Sequence, residues 1–539
     1  MAKIISMEEA ANLFFDGCVV CGVSFGVEGW PEELAMAVEK RFLETGHPAG
    51  ITNIHAAGFQ SGNVWAHDGL IALDISSHES TTPKINKMIA DEKFPAWYMQ
   101  LGAMPQMFCE IGRGMPGALS KCGLGTFMDP RVEAGAINDA AKKYDAEALK
   151  KGEKLWIEYV PDFMGEEYLF YRIPKIDIGI MRGTTADVNG NITTEAECLN
   201  LELAVVARAT KACGGIVIVE VERIAAAGSL NPKLVKVGRN LVDYIVVAEH
   251  PELITHGLCY KLFAGIRYWD GLNGTIKVPT DAIAVMPFDP KKVIIRRTLM
   301  ELPKRGGMCN FGIGLPTFCG GVMAEEGEMA NYTMISESGS VGGVPGGGPL
   351  FGCHYNNEWS CDQKDHFDWF DGTGLDFGVF GLSEAQEDGS INVSRLNGTT
   401  LGVGGFSNIT SGAKKAIFVG TFTTKGIKEH IEDGKLVIDQ EGTLKKFVKK
   451  SEQIAYDGPA AVRAGKPAIF ITERCVLVNS EKGLVLKEVA PGIDYKTQIL
   501  PYMEFEPIIP EGGPASMPPE IFQEEWGGLT ACLDKHEGK

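Results

Sequence analysis

Residues 336–349 have the sequence SESGSVGGVPGGGP, which is the least core-like stretch of the chain. It places one carboxylate, that of Glu337, directly before a segment with six glycines and two prolines in the eleven residues 339–349. Glycine costs stability wherever it sits, so this density indicates tight turns or another molecule that approaches the main chain closely. We therefore expect Glu337 to lie at an exposed site outside any core, and it is the first candidate for chemistry.

Three further glycine-rich stretches lie in the same half of the chain. They are NFGIGLP (310–316), GTGLD (372–376) and GVGGF (402–406). In parallel α/β sheets, the loops at the carboxyl ends of the strands gather on one side, and ligands bind there. These stretches are therefore expected to converge on one cleft with Glu337, although an ordinary strand-to-helix turn would explain any one of them.

The size and the patterning of the chain predict a multidomain α/β protein. Its 539 residues exceed the length at which a single core keeps growing, so two or more domains are expected. Short apolar runs alternate with helical patterns, which is typical of βαβ units and of open, largely parallel sheets. The first such unit is predicted as a strand over 18–21, a turn over 22–30 and a helix over 31–43.

A weak internal repeat at an offset of about 200 residues favours two similarly folded halves. The stretch ADVNGNIT (186–193) resembles EDGSIN (387–392), and ACGGIVIV (212–219) resembles GAKKAIFV (412–419) in the same order. The first pair indicates a turn that enters a strand, and the second a break before a buried strand. The open alternative is that turn-plus-strand patterns recur in any α/β protein.

The turn-rich sequence WDGLNG (269–274) places the domain boundary within residues 266–290. The predicted domains cover residues 1–275 and 285–515. Beyond them, residues 516–539 are charged and resume no obvious apolar pattern. We therefore predict that this last segment is a surface tail.

The composition argues against several classes of protein. Seventy acidic and fifty-one basic residues give a net charge of −19, which argues against nucleic-acid or anionic-membrane partners without excluding a local basic pocket. No apolar run approaches the roughly 18 residues of a membrane-spanning helix, and Glu8 and Glu9 do not fit a signal peptide. Thirteen dispersed cysteines are typical of reduced thiols. We expect a cytoplasmic protein.

Three other patterns suggest chemistry less strongly. GVSFG (22–26) matches the nucleophile-elbow pattern and leaves a serine hydrolase acting through Ser24 as an alternative, although the helix begins too late for an elbow. The spacing of Cys18 and Cys21 suits a redox pair, but two buried strand thiols are favoured. A third pattern, within residues 362–371, contains the residue types of metal ligands but not the spacing of a standard metal-binding loop. A solvated face or the lining of a pocket wall is therefore favoured over a metal site. The residues of this pattern are Asp362, Asp365, His366, Asp368 and Asp371.

Several motifs, in order along nearly the whole chain, make it resemble the class I coenzyme A transferases, especially the single-chain propionate and acetate CoA-transferases. In the second half they are ESG (337–339), GGVP (342–345), INVSR (391–395), GVGGF (402–406), GTFT (420–423) and ITERC (471–475). In the first half they are FLETG (42–46), GLGTFMDPR (123–131) and LFY (169–171).

The resemblance implies two Rossmann-like α/β domains and a glutamate that is covalently modified in each turnover, a place that Glu337 occupies. The carboxylate attacks acyl-CoA to give a mixed anhydride, and the CoA thiolate then forms a glutamyl-CoA thioester. Gly405 matches the family position whose N–H stabilises the carbonyl oxygen. Gln106 matches a first-domain glutamine that reaches the same oxygen or the acyl group.

The resemblance also bears on ligands. It implies CoA as a substrate, with no metal and no prosthetic group, and CoA-binding glycines at Gly312, Gly314, Gly342, Gly343, Gly374 and Gly404. Short-chain acids such as acetate, propionate, butyrate or lactate are expected, because nothing marks a long acyl tunnel. Two departures from the propionate enzymes concern the shape of the pocket, namely Gly346 in place of an alanine and a short stretch over 58–63.

Two alternatives to transfer stay open at this point. One is an acyl-CoA hydrolase of the same fold, and the other is a noncatalytic CoA-binding protein. For the protein as a whole we expect a homo-oligomer, specifically a tetramer, with acyl-CoA and carboxylate as small-molecule partners and no nucleic-acid or membrane partner.

Overall fold

The structure is a computed structural model that describes residues 2–26, 28–251, 253–254, 258–259, 271–279 and 286–538. Part of the predicted domain boundary, residues 266–270 and 280–285, lies outside these residues. Among the described residues, no helix has both the length and the apolar character needed to cross a bilayer.

The first of the two large sheets is built from residues 3–247. Its strands are β1 (Lys3–Ile4), β2 (Val19–Gly26), β3 (Ile51–Phe59), β4 (Ile71–Ser76), β5 (Ala96–Tyr98), β6 (Ile178–Asp187), β7 (Ile216–Ala225) and β8 (Tyr244–Val247). They are ordered β1-β8-β7-β6-β2-β3-β4-β5, and every neighbouring pair in this order is parallel. The short strands Ile192–Thr193 and Val235–Val237 extend the sheet beside β6.

The second sheet is built from residues 308–516. Its strands are β9 (Met308–Phe311), β10 (Thr333–Met334), β11 (Phe377–Gly381), β12 (Ala416–Val419), β13 (Ile469–Ile471), β14 (Cys475–Ser480), β15 (Gly483–Val489) and β16 (Ala515–Ser516). The order is β10-β9-β11-β12-β13-β14-β15-β16. The first five strands are parallel, and β14 is antiparallel to both of its neighbours. The predicted α/β class with open parallel sheets is confirmed.

The main helices accompany these strands. They are α1 (Glu32–Thr45), α2 (Pro83–Ala90), α3 (Ala103–Gly112), α4 (Asp139–Lys150), α5 (Leu203–Ala212), α6 (Pro290–Leu299), α7 (Phe318–Glu325), α8 (Gln363–Asp371), α9 (Phe406–Gly412) and α10 (Leu529–Glu537). Helix α1 confirms the helix predicted over 31–43, and Gly46 ends it in a left-handed conformation. The turn predicted over 22–30 is wrong at its start, because β2 continues to Gly26.

The internal repeat corresponds to the same succession of elements in both halves. The first half has β6, a turn into Ile192–Thr193, α5 and the parallel neighbour β7. The second half has β11, the hairpin of Glu384–Gln386 with Ile391–Asn392, α9 and the parallel neighbour β12. Each hairpin turn is closed by an aspartate carboxylate, of Asp187 or Asp388, that accepts a backbone N–H two residues ahead. The prediction of two similarly folded halves is therefore confirmed.

Residues 516–539 are not a surface tail, so that prediction is wrong. Five apolar side chains of the segment are buried in a core of the second half, namely Met517, Ile521, Phe522, Leu529 and Leu533. The Arg296 guanidinium of α6 donates to the backbone carbonyls of Ile521, Gln523 and Glu524. The pattern was missed because Pro518 and Pro519 interrupt it and its apolar residues follow no single period.

Candidate active site

Glu337 lies in a tight turn that follows β10, at the carboxyl edge of the second sheet. The turn is closed by two backbone hydrogen bonds, from Ser336 N–H to the Ser340 carbonyl at 3.0 Å and from Gly339 N–H to the Ser336 carbonyl at 3.1 Å. Gly339 has a φ of +117°, and a Cβ there would lie 2.2 Å from the carbonyl oxygen of Cys361. Glycine is therefore required two residues after Glu337.

The residues on either side of Glu337 hold the turn in place. The hydroxyls of Ser336 and Ser338 donate to the Gly352 carbonyl oxygen at 2.8 and 2.6 Å. The ring Nδ1 of His366, from α8, lies 2.5 Å from the Ser336 carbonyl oxygen. Because neighbouring segments fix both flanks, the position of the carboxylate is set by packed structure.

The Glu337 side chain is buried, with 6% of its surface exposed, so the expectation of an exposed site is wrong. The Asn310 amide of β9 is a polar partner of this carboxylate, with its Nδ2 3.4 Å from Oε2. Burial raises the pKa of Glu337 above its ordinary value, and hydrogen bonds from its own backbone N–H and from Asn310 oppose this shift. A buried carboxylate with only weak hydrogen-bonding support and a perturbed pKa is a candidate for covalent or proton-transfer chemistry.

The loop after β9, the strand next to β10, carries Gly312 and Gly314. The Gly312 N–H donates to the Val379 carbonyl at 2.8 Å, which fixes this residue to the neighbouring strand. Gly314 has a φ of +86° with open space where a Cβ would stand. The structure therefore places both residues at the same sheet edge as Glu337.

Three other predicted CoA-binding glycines have packing reasons for lacking a side chain. A Cβ on Gly342 would lie 2.6 Å from Glu358 Cγ, and one on Gly343 would lie 2.1 Å from the Tyr355 carbonyl oxygen. At Gly374 a Cβ would lie 2.1 Å from the carbonyl oxygen of Gly412. Contacts within the chain therefore account for glycine at these positions, and their contact with CoA stays a prediction.

The loop with Gly404 and Gly405 belongs to the second half but rests on the first. The N–H groups of Val403 and Gly404 donate to the Ser77 carbonyl, at 3.1 and 3.3 Å, just beyond β4. The Leu101 N–H, just beyond β5, donates to the Gly404 carbonyl at 3.2 Å. Gly405 follows immediately and precedes the first residue of α9. The carboxyl edge of the first sheet therefore supports the loop that presents the Gly405 N–H.

Gln106, the amide that the resemblance assigns to the reacting oxygen, has a different environment from Glu337 and Gly405. It lies on α3 and lines a cavity of about 840 Å³ together with Tyr168 and Asp371. Among the described residues, no hydrogen bond links Gln106 to Glu337 or to Gly405. The sequence motif identified an amide in the first half, but it could not show which way the helix turns that amide.

Gln100 is a first-half amide that the sequence analysis missed. It lies two residues beyond the end of β5 and directly precedes Leu101, whose N–H donates to the Gly404 carbonyl. Its side chain is fully buried, and neither amide atom has a hydrogen-bond partner within the described part of the chain. Its position just after a buried strand was the available signal, since ligand-binding residues gather at such ends.

One group of described residues has the composition of a metal site, namely His55, Asp74 and Glu79, whose ligand atoms lie within 4.8 Å of one another. His55 Nε2 and Glu79 Oε1 are 2.6 Å apart, whereas two ligands of one tetrahedral zinc ion lie roughly 3.3 Å apart. The group is therefore arranged as a hydrogen-bonded cluster.

The acidic residues around α8 are occupied by partners within the chain. Lys236 contacts Asp362, Lys364 contacts Asp365 and Asp368, and Asn408 contacts Asp371. The interpretation of this pattern as a solvated or lining face agrees with these contacts.

The serine and cysteine alternatives have ordinary structural explanations. Ser24 lies inside β2 and its hydroxyl contacts the carbonyls of Ala57 and Gly58 at 3.2 Å, so it is not at a strand-to-helix elbow. Cys18 and Cys21 are buried free thiols, and burial raises the pKa of Cys18 to about 11. Twelve of the thirteen cysteines are free thiols in the described part of the chain.

Comparison with known proteins identifies the family. The model for coenzyme A transferases matches residues 4–248. The chain is 39% identical over 550 residues to a caffeate CoA-transferase of Acetobacterium woodii, and the match covers 99% of this chain and 100% of the relative. The chain belongs to the coenzyme A transferase family. This CoA-transferase is also 31% identical over 513 residues to the acetate CoA-transferase YdiF of Escherichia coli K12, which covers 94% and 92% of the two chains.

Solved structures confirm the class I CoA-transferase fold on a single chain. The apoenzyme of the acyl-CoA transferase YdiF from E. coli O157:H7 matches with a TM-score of 0.88 and 30% identity, over 98% of this chain and 97% of that one. The thioester complex of the same acyl-CoA transferase with CoA matches with a TM-score of 0.85 and 29% identity, over the same shares. The protein is thus an enzyme, and the noncatalytic alternative is set aside.

Proposed function

We propose that this CoA-transferase moves CoA from an acyl-CoA to a free carboxylate through a covalent intermediate on Glu337. The observation that carries the proposal is the placement of one buried, weakly hydrogen-bonded carboxylate in a rigid turn at the carboxyl edge of the second sheet. Ligands bind at such edges in open α/β sheets. A structural relative solved as a thioester complex with CoA supports the same chemistry.

The chemistry runs as two half-reactions on one side chain. The Glu337 carboxylate attacks the thioester carbonyl, the C–S bond breaks, and a mixed anhydride and CoA thiolate form. The thiolate then attacks the glutamyl carbonyl, which releases the free acid and leaves a glutamyl-CoA thioester. A second carboxylate reverses these steps, so the energy of the thioester bond is kept.

Each attack places negative charge on a carbonyl oxygen, which a fixed N–H can stabilise by about 10²–10³-fold in rate. We assign this role to the Gly405 N–H, since hydrogen bonds to Ser77 and Leu101 fix the preceding residue. For the amide from the first half, Gln100 is better placed than Gln106, because its backbone adjoins the Gly404 contact. At the sheet edge, Gly312 and Gly314 are proposed to contact CoA.

Two classes of carboxylic acid are candidates for the acid substrate. Short-chain acids, as the sequence predicts, are supported by the 31% identity to an acetate CoA-transferase. An aromatic acid of the caffeate kind is favoured by the 39% identity over the full length of a caffeate CoA-transferase. Values of kcat/KM measured with acetate, propionate, butyrate, lactate and caffeate as acceptors distinguish them.

A thiol assay separates transfer from hydrolysis. Acyl-CoA is supplied with and without an acceptor acid, while free thiol and the new acyl-CoA are measured together. The proposal predicts a new acyl-CoA that depends on the acceptor, with little free thiol. Steady release of thiol without an acceptor, and no new acyl-CoA with one, would instead identify a hydrolase.

A further inference from the structure

The loop that presents Gly405 is held by a side-chain clamp from the other half of the protein. Asn86, on α2 of the first half, directs its amide at Thr400, which lies two residues before Gly402 in the second half. Its Nδ2 donates to the Thr400 carbonyl, and its Oδ1 lies 3.3 Å from the Thr400 hydroxyl. One buried amide therefore makes both a donor and an acceptor contact to a single residue across the two halves.

Backbone contacts continue from this clamp toward Gly405. His78 and Gly402 form an antiparallel bridge, and a Cβ on Gly402 would lie 2.4 Å from His78 Cα. The Ser77 carbonyl then accepts from the N–H groups of Val403 and Gly404. Residues 400–404 thus lie along residues 77–86, so a shift at Thr400 moves the backbone that leads into Gly405.

The clamp rests on a buried polar cluster that the proposed chemistry does not use. Asn86 Nδ2 is also 3.4 Å from the backbone carbonyl oxygen of Glu79. The Glu79 carboxyl contacts His55 Nε2 at 2.6 Å and the Thr82 hydroxyl, and none of these side chains is exposed. His55 lies on β3 and Thr82 precedes α2, so Glu79 ties the sheet to the start of the helix that carries Asn86.

We propose that Asn86, supported by the Glu79–His55 pair, is a positioning residue that holds the Gly405 N–H in place from the opposite half of the protein. The proposal rests on the function assigned above to Gly405 and Glu337. Neither Asn86 nor Glu79 reaches the reacting atoms in this scheme. Their effect is transmitted through residues 400–404, and misplacement of a catalytic group by about 1 Å can cost about 10²-fold in rate.

The test compares Asn86→Ala with Asn138→Ala. Asn138 is a matched control because it is another buried asparagine of the first half. Within the described part of the chain, its amide bonds stay in that half, to Ile89, Phe94, Ala96 and Ala141. For each variant we would measure kcat, the KM for acyl-CoA, the thermal midpoint and the rate at which the glutamyl-CoA adduct forms in a single turnover.

Asn86→Ala is expected to lower kcat and the rate of adduct formation by about 10- to 100-fold while KM changes by less than about 3-fold. Asn138→Ala should lose comparable thermal stability and keep kcat within about 3-fold of wild type. An equal loss of kcat in both variants, or a wild-type rate of adduct formation in Asn86→Ala, would overturn the proposal.

Two milder variants keep the proposal testable if Asn86→Ala does not fold. Thr400→Val removes only the hydroxyl that contacts Asn86, and it should lower kcat in the same direction by a smaller factor. Glu79→Gln keeps the size and hydrogen-bonding ability of the side chain and should retain most activity. Unchanged kcat in Thr400→Val would count against the clamp, whereas absence of any adduct in the wild-type enzyme would instead refute the role of Glu337.

Discussion

Glu337 has to be both buried and ionised to act as a nucleophile, and these requirements oppose each other. Burial raises its pKa, while its own backbone N–H and the Asn310 amide favour the charged form. The carboxylate attacks only when deprotonated, so the acid limb of kcat/KM should lie above the ordinary glutamate value of about 4.3. Asn310 is thus expected to widen the active pH range.

Asn310→Ala provides the first prediction. The variant loses the amide near Glu337 Oε2, so the pKa of the carboxyl should rise further and the acid limb of kcat/KM should move to higher pH. Because the Glu337 carboxyl of the variant is deprotonated at higher pH, the variant should regain most of the lost rate at that pH. A pH profile of kcat/KM measures this, and a rate loss that is equal at all pH values would show that Asn310 acts in another way.

The two first-half glutamines give the second prediction. Gln100→Ala should lower kcat by about 10²-fold if this amide supports the reacting oxygen, whereas Gln106→Ala should change it by less than about 3-fold. Both variants truncate the same side chain in the same half, so each controls for the other. Steady-state kinetics with acyl-CoA and acetate provide the measurement, and the reverse ranking would restore the role that sequence resemblance gave to Gln106.

At the scale of secondary-structure elements, the start of α5 holds a buried carboxyl with no apparent structural benefit. Glu202 is 1% exposed, neither of its carboxylate oxygens has a hydrogen-bond partner among the described residues, and burial raises its pKa to about 8. In the folded protein it therefore stays protonated well above the unfolded value of 4.5. The stability that this group supports is complete below about pH 4.5 and is lost as the pH rises to about 8.

Glu202→Gln is the third prediction. The amide of the variant stays neutral at every pH, whereas the wild-type carboxyl becomes charged. The free energy of unfolding of the variant, relative to that of wild type, should therefore increase between pH 5 and pH 8.5, by on the order of a few kcal/mol. Urea unfolding at the two pH values measures the difference. If the free energies of unfolding of the variant and of wild type differed by the same amount at pH 5 and at pH 8.5, Glu202 would not titrate in this range.

The elements also show how far sequence alone can predict. The β6–α5–β7 repeat and helix α1 were predictable because their apolar spacing and turn residues act locally. The burial of Phe522 was not, since α6, which contacts the segment of residues 519–522, lies more than 200 residues away in sequence. The position of Gln106 was missed for a similar reason, because a motif gives residue types in order but not the rotation of α3 against α8.

At the scale of the whole molecule, the end of the chain completes the core of the second half. Phe522→Ala, the fourth prediction, removes a buried ring and should destabilise the protein by about 3–5 kcal/mol without a change in the KM for acyl-CoA. Phe163→Ala is the matched control, since that ring is exposed, and it should cost less than about 0.5 kcal/mol. Denaturant unfolding measures both losses of stability. If the segment were a surface tail, Phe522→Ala would destabilise the protein as little as Phe163→Ala.

The whole molecule also explains why two sheets are needed for one site. Glu337 and its turn come from the second sheet, while the loop that leads into Gly405 is supported by Ser77, Asn86 and Leu101 of the first half. Phe25 of β2 stacks on Phe351, next to the Gly352 carbonyl that holds the Glu337 turn, with ring centroids 6.2 Å apart. The turn of the proposed nucleophile and the loop of the proposed oxyanion donor are thus both contacted by the first half of the chain.

The central claim is that Glu337 carries CoA covalently during turnover, and mass spectrometry tests it most directly. Enzyme treated with acyl-CoA in the absence of an acceptor should gain the mass of CoA less one water, with the added mass confined to the peptide that contains residue 337. Glu337→Gln should show no added mass and should lose transfer by at least about 10³-fold while it remains folded. An adduct on any other peptide, or full transfer activity in Glu337→Gln, would contradict the account.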